Sequence, residues 1–389
     1  MRSDVPQRVR IVARLRHFGT LAREILNVHT AGARYAPMEG LRAYAAILVF
    51  IVHYTAEYAG RIRRLDLDAL SFEKIDRGWD LFMWYCFRSH YGVEIFFLLS
   101  GFLIFRMAAR QRFYFTRFIR NRFARIYPAF LLSLLLVIAY RMSTHKFVFD
   151  PVQFAGNLAF LNGFPELNVI PYNTPTWSLA FEFLFYLLFP LSLLAVIGRT
   201  NATPPKIAAM TALIWIVLLF PNPYYARFLM FFGGAYMAAH SDDALRKHAG
   251  RLSDWMAVSA YVVAGALFSL DLDLRVFVPV FLIATYLVVL RIMFGDGWLR
   301  RFFSTTPLRM LGNLSYSFYL VHILVIEVLI WRVGYLFNWL LRIPHAGGWL
   351  YIAASFIVTF AASTAIAIGL FLLAERPYLT RERRPEHAA

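Results

Sequence analysis

One apolar run, Met38 to Tyr58, carries two residues that hydrocarbon does not tolerate cheaply: Arg42 at its start and His53 eleven residues on. On a helix that spacing is about 16 Å along the axis, roughly half of a hydrocarbon core. Ionisable groups inside a spanning helix are costly and usually functional. An imidazole titrates near neutral pH and can serve as general base or as nucleophile, so His53 is the first candidate for chemistry.

Other polar residues inside apolar runs are few. Glu94 and Ser100 lie in a second run and Glu182 in a fourth. Ser315, Tyr316, Ser317, Tyr319, His322 and Glu327 lie in a ninth. Between the second and third runs stands the basic stretch RMAARQRFYFTRFIRNRFAR, followed by Ile126-Tyr127-Pro128. Arg122 and Arg125 are three apart and share a helix face. Guanidinium forks match phosphate oxygens, so these two with Arg42 and Arg376 would form a phosphate-binding mouth at one membrane surface. A basic loop on the inner side is also what membrane topology alone demands. A lone histidine such as His322 can equally be a hydrogen-bonded core residue.

Composition sets the class. Of 389 residues, 60% are hydrophobic and 16% charged, which makes the chain a polytopic membrane protein rather than a soluble one. The formal charge of +17 comes mostly from arginines placed between apolar runs, which fits topology and contact with anionic lipid or ligand and not nucleic acid. A single cysteine, Cys86, excludes a disulfide framework, and no metal site is expected. There is no Walker-type loop, G-x-S-x-G elbow, H-E-x-x-H or C-x-x-C, so esterase, metalloprotease and ATPase readings have no motif behind them.

The expected fold is all-α, a transmembrane bundle of about ten spans near 38–57, 90–108, 127–143, 177–198, 207–221, 223–240, 254–270, 275–293, 312–336 and 349–373. The intervening segments that hold most lysines and arginines place both termini on the inner side. Residues 1–37 form a basic segment with apolar side chains at helical spacing, predicted as an amphipathic helix on the membrane surface. Residues 38–379 form the transmembrane domain and 380–389 a short tail. Two long outer loops, 58–89 and 144–176, are candidates for function by length. In the second, NLAFLNGF is expected to dip into the membrane.

Taken together, the motifs resemble the acyltransferase 3 family of integral-membrane O-acyltransferases. The resemblance rests on Arg42 to His53 within GLRAYAAILVFIVH, on GVEIFFLLSGFLI from Gly92, and on R-x-x-R-I-Y-P from Arg122 to Pro128. It rests also on Trp177 to Tyr186, on LGNLSYSFYLVH from Leu311 to His322, and on ERP at Glu375 to Pro377. The resemblance implies transfer of an acyl group, usually acetyl, from cytoplasmic acyl-coenzyme A to a hydroxyl of an envelope or exported glycan or glycolipid. Acyl-coenzyme A would be a substrate, with no permanently bound cofactor, and the site would be a bacterial inner membrane. The donor phosphates would sit on Arg42, Arg122 and Arg125, with Tyr127 beside them. His53 would be the catalytic base or acyl carrier, oriented by Glu94 or Glu182. Trp177, Tyr316, Ser317 and His322 would meet the acceptor or the thioester. A transporter or flippase for an anionic lipid-linked or glycan intermediate is the alternative from another class.

Overall fold

The computed structural model describes residues 36–64, 78–88, 91–109, 113–144, 148–193, 198, 202–267, 272–332 and 337–378. The predicted interfacial helix lies outside these apart from its last two residues, and so does the tail from residue 380. The described residues are helical with no strand.

Fifteen helices follow in order. They are α1 (Ala36–Glu57), α2 (Gly78–Arg88), α3 (Gly92–Ala108), α4 (Phe115–Ser143) and α5 (Pro151–Leu158). Next come α6 (Trp177–Ser192), α7 (Pro204–Ile214), α8 (Phe228–Ala239), α9 (Asp242–Gly250) and α10 (Asp254–Leu267). Last are α11 (Leu274–Phe294), α12 (Trp298–Phe303), α13 (Thr306–Asn313), α14 (Ser315–Arg332) and α15 (Gly347–Leu370). Among the described residues each of the ten predicted intervals is mostly helical, although 207–221 ends in a π-helical turn and 312–336 is divided between α13 and α14. Five helical runs are long and apolar enough to cross a membrane, and six if α13 and α14, bent by 75° at their junction, count as one. The others fall short in length. The 12 residues of α8 rise only about 18 Å, although the 3₁₀ turn Pro223–Arg227 precedes them directly.

The basic stretch expected as a loop is largely helix. Nothing between Phe115 and Arg125 breaks a helix, and arginine is a good helix former, so α4 starts three turns before the apolar residues and runs for 29. Pro128 sits inside it with its ring on an exposed position. Arg122 and Arg125 therefore stand on the same rigid element as the apolar segment after them.

Two buried clusters form the core, and α1 belongs to both. Met38, Leu41, Ala45 and Val49 pack with α3, α6, α8, α10 and α11, an aromatic-rich half. Ala46, Phe50, Tyr54 and Tyr58 pack with α4, α14 and α15. Large apolar side chains also point outward, among them Leu213, Ile216, Leu218, Ile283, Ile357 and Leu373, as a lipid-facing surface requires.

A close crossing joins α3 to α8 and depends on two glycines. A Cβ on Gly101 would meet the Phe231 carbonyl oxygen at 1.9 Å, and one on Gly234 would meet the Leu98 carbonyl oxygen at 1.9 Å. Small residues let helix backbones touch where hydrophobic attraction between helices is absent.

Segment 148–176 is folded on buried amides. Asp150 caps α5 through Val152 N (2.8 Å) and Gln153 N (3.1 Å). Asn157 donates to the Ile170 carbonyl (2.8 Å) and accepts from Tyr172 N (3.0 Å). Asn162 donates to Thr176 Oγ1 (2.8 Å) and Asn173 to the Leu320 carbonyl (2.8 Å), tying the segment to α14. Phe160, within the predicted dipping stretch, is buried against Phe130 and Phe183 although its φ of 55° is in the left-handed region. Exposed Glu166 accepts from Tyr225 and Asn222, and the Tyr225 hydroxyl holds its carboxyl below the usual range. That latch contributes above the ordinary carboxylate pKa and is lost as pH falls through the lowered folded value.

Gly101→Leu or Gly234→Leu is expected to lower thermal stability in detergent by several degrees or to prevent folding, since the blocking atoms are backbone. Gly369→Ala has no atom within 4 Å and is expected to be neutral or mildly stabilising. Thermal unfolding of the purified variants checks both.

Candidate active site

Four helix faces and one helix start enclose a cavity of about 110 Å³. Arg42 of α1 enters it from one end. From α3 come Phe96, Ser100 and Leu103, and from α4 Arg122, Arg125 and Ile126. Ser178, Glu182 and Tyr186 of α6 and Ser315, Tyr316 and Tyr319 of α14 complete it. Three guanidinium groups thus share one space, where a carboxylate faces them.

Several polar side chains there are held by named partners. Glu182 accepts from Ser100 Oγ (2.7 Å) and from the Tyr186 hydroxyl, four residues away on the same helix face. The Arg122 guanidinium lies over the Phe118 and Tyr186 rings, 5.4 and 5.5 Å from their centroids. Tyr316 donates to the Ile126 carbonyl (2.8 Å), which pins α14 to the start of the apolar part of α4. Tyr319 donates to the Pro175 carbonyl (2.7 Å), and its hydroxyl is 2.6 Å from Ser178 Oγ. Buried Glu375, just past α15, accepts from Ser317 and lies within electrostatic reach of Arg42 and Arg125.

Behind Tyr319 stand two histidines. The His322 ring is 5.8 Å from that of Tyr319 and 5.2 Å from that of His53. His53 is half-buried and His322 fully buried, stacked on Phe318. His322 Nδ1 lies 2.8 Å from the Tyr319 carbonyl, a contact that only a protonated Nδ1 can make. The lone pair of a neutral ring is then on Nε2, which is buried and has no hydrogen-bond partner. One and two turns beyond His53, Glu57 accepts from Arg61, whose Nη2 is 3.9 Å from Glu327.

The structure thus brings Arg42, Arg122, Arg125, Glu182 and Tyr316 onto one cavity and sets His53 and His322 together beside it. Four other expected residues are placed elsewhere. Glu94 forms a buried ion pair with Arg227 (2.9 Å), whose guanidinium is layered between Trp177 and Tyr224 at 5.4 and 5.7 Å. Its other oxygen has no hydrogen-bond partner, and the His53 ring has the His322 ring as a neighbour. Trp177 packs in the aromatic half against Phe181. Tyr127 stacks on Phe123, away from the cavity lining, and Ser317 serves Glu375.

Tyr186, Arg227 and Glu375 are the contributors the sequence reading did not single out. Each left a signal. Tyr186 follows Glu182 by four, Arg227 is an arginine within a hydropathic run, and Glu375 stands in the ERP motif.

An arginine-bearing cavity inside an apolar helical bundle, with two histidines near it, is the candidate site of a membrane-embedded protein. Comparison with known proteins gives the class a family. The family described as "Acyltransferase domain" matches residues 36–368, so the chain belongs to the acyltransferase 3 family. It is similar to acyltransferase MdmB of Streptomyces mycarofaciens, 31% identical over 170 residues that cover 41% of this chain and 39% of that protein. It is also similar to O-acetyltransferase OatA of Staphylococcus aureus (strain NCTC 8325 / PS 47), 24% identical over 338 residues covering 74% of this chain. The chain spans half the length of the latter. No solved structure matches it.

Removing one member of the buried pair leaves the other charge uncompensated. Glu94→Gln and Arg227→Met are each expected to cost about 3–5 kcal/mol, and the double variant to recover part of that. Denaturation of the three variants in detergent reads the coupling.

Proposed function

We propose that this protein is a membrane-bound O-acyltransferase that moves an acyl group, acetyl first among candidates, from cytoplasmic acyl-coenzyme A to a hydroxyl of an envelope or exported glycan or glycolipid. The observation that carries this reading is the shared cavity: Arg42, Arg122 and Arg125 line it together, and His322 stands next to its Tyr319 lining with His53 beside it. Three arginines on one space suit the phosphates of a coenzyme A donor, because a guanidinium is always charged and offers a fork of donors. Glu182 and Glu375 offset part of their mutual repulsion before the donor arrives. The pantetheine arm then follows the cavity between α3, α6 and α14, and the thioester arrives at His53.

Membership in the family, together with helix over most of each of the ten predicted intervals, supports ten spans in a bacterial inner membrane with both termini in the cytoplasm. In that orientation the arginine end opens to the cytoplasm, where the donor is. The folded outer segment 148–176 faces the acceptor and shapes its choice.

The test follows labelled acetyl from acetyl-coenzyme A into the envelope glycan fraction, using membranes with equal amounts of wild type and variants. Label is expected with wild type and lost with His53→Ala. Arg125→Gln is expected to raise the KM for acetyl-coenzyme A about tenfold or more, with a smaller change in kcat. Wild-type membranes that transfer no label from acetyl or succinyl donors would overturn the reading.

A further inference from the structure

We propose that His322 is a second catalytic residue: its Nε2 takes the proton of the acceptor hydroxyl while His53 carries the acyl group. The inference rests on the acyltransferase reading above and deepens it. Its starting point is that one imidazole cannot do both jobs in the same step. Once one histidine nitrogen is acylated, the lone pair left on the ring is on the other nitrogen and points away from the acyl carbon, so it cannot deprotonate the hydroxyl that attacks there. A second base must stand within reach.

His322 meets that requirement in three respects. Its Nδ1–H is committed to the Tyr319 carbonyl at 2.8 Å, with the Phe318 carbonyl at 3.3 Å, so the tautomer is set and Nε2 is the acceptor. That Nε2 is fully buried and has no hydrogen-bond partner, an arrangement buried polar atoms rarely keep without a use. The His53 ring is its neighbour at 5.2 Å between centroids, so an acyl group carried on His53 would stand beside it. The surroundings hold the ring in place. Phe318 stacks on it nearly parallel (5°) and Phe50 packs beside it at 6.4 Å. The Asn173 amide bonds the Leu320 carbonyl in the next turn of α14.

The two half-reactions balance. In the first, a His53 nitrogen attacks the thioester carbonyl carbon and the C–S bond breaks. The proton shed by the acylated ring goes to the leaving thiolate, so coenzyme A departs as the thiol. In the second, the acceptor oxygen attacks the acyl carbon and the C–N bond to His53 breaks. The hydroxyl proton moves to His322 Nε2 and from there to the nitrogen that His53 regains, which returns both rings to neutrality.

Separating the half-reactions needs no knowledge of the acceptor. Exchange of tritiated coenzyme A into acetyl-coenzyme A reports the first, and hydrolysis of acetyl-coenzyme A, with water as acceptor, reports the second. The variant is His322→Asn, whose amide can still donate to the Tyr319 carbonyl but has no base at the Nε2 position. It is expected to keep exchange within about threefold of wild type and to lose about 100-fold or more in hydrolysis, the range general-base removal produces. His53→Ala is expected to lose both. Exchange and hydrolysis falling together in a folded His322→Asn, or hydrolysis staying at the wild-type rate, would overturn the assignment. If His322→Asn fails to fold, judged by thermal unfolding in detergent, His322→Gln is measured with the same two outcomes. Wild type that hydrolyses without exchange removes the His53 carrier and the proposal with it. Wild type that does neither removes the acyltransferase reading itself.

Discussion

A charge placed inside an apolar bundle must find its counter-charge and its hydrogen bonds within the protein, because lipid offers neither. The chain meets this constraint in two ways. Some charges are closed off in pairs: Glu94 with Arg227, and Asp254 with Arg291, whose other carboxylate oxygen accepts from Leu299 N. Around the cavity the account is left open. Three arginines, Arg42, Arg122 and Arg125, face two carboxylates, Glu182 and Glu375, a formal surplus of one positive charge (3 − 2). Closed pairs hold helices in register. The cavity cluster concentrates positive charge in one space.

Packing converts that difference into a site. α1 divides the core, with one set of its side chains in the aromatic-rich half and the next set in the half built on α4, α14 and α15. Its Arg42 and His53 therefore lie at the seam and not within either half. The glycine contacts between α3 and α8 draw one half tight, which leaves the free volume on the other side of α3, where Ser100 and Phe96 line the cavity. The hydroxyl of Tyr316 on the Ile126 carbonyl and that of Tyr319 on Pro175 fix the opposite wall. Polar groups at the seam are thus held by backbone partners, which do not move when a substrate comes and goes.

Much of this was legible in the sequence. Hydropathy located the helices, since their apolar lengths are set by the membrane, and the cost of intramembrane charge pointed to Arg42, His53, Glu182 and His322. Pairing was harder to read. Glu94 and Glu182 look alike as single carboxylates in apolar runs, yet one meets Arg227 and the other meets Ser100 and Tyr186. Which partner each finds depends on the rotation of α3 and α6 about their axes, which linear spacing does not give. The basic stretch before Ile126 reads as a loop because charge marks solvent, whereas arginine continues a helix as readily as leucine. The 75° break at Leu314 leaves no proline or glycine at the bend itself to announce it, although Gly312 is close by.

The buried amides of segment 148–176 carry a consequence for how such a protein can change. Asn157, Asn162 and Asn173 bond almost entirely to backbone and to one threonine, so the path of the segment is dictated by its interior. Its exposed side chains, such as Val148, Val152, Leu167 and Ile170, take no part in that scaffolding. They can be exchanged with small effect on stability. The segment is in this respect like the framework of an antibody domain: a fixed spine under a surface free to vary one substitution at a time without rebuilding the interior.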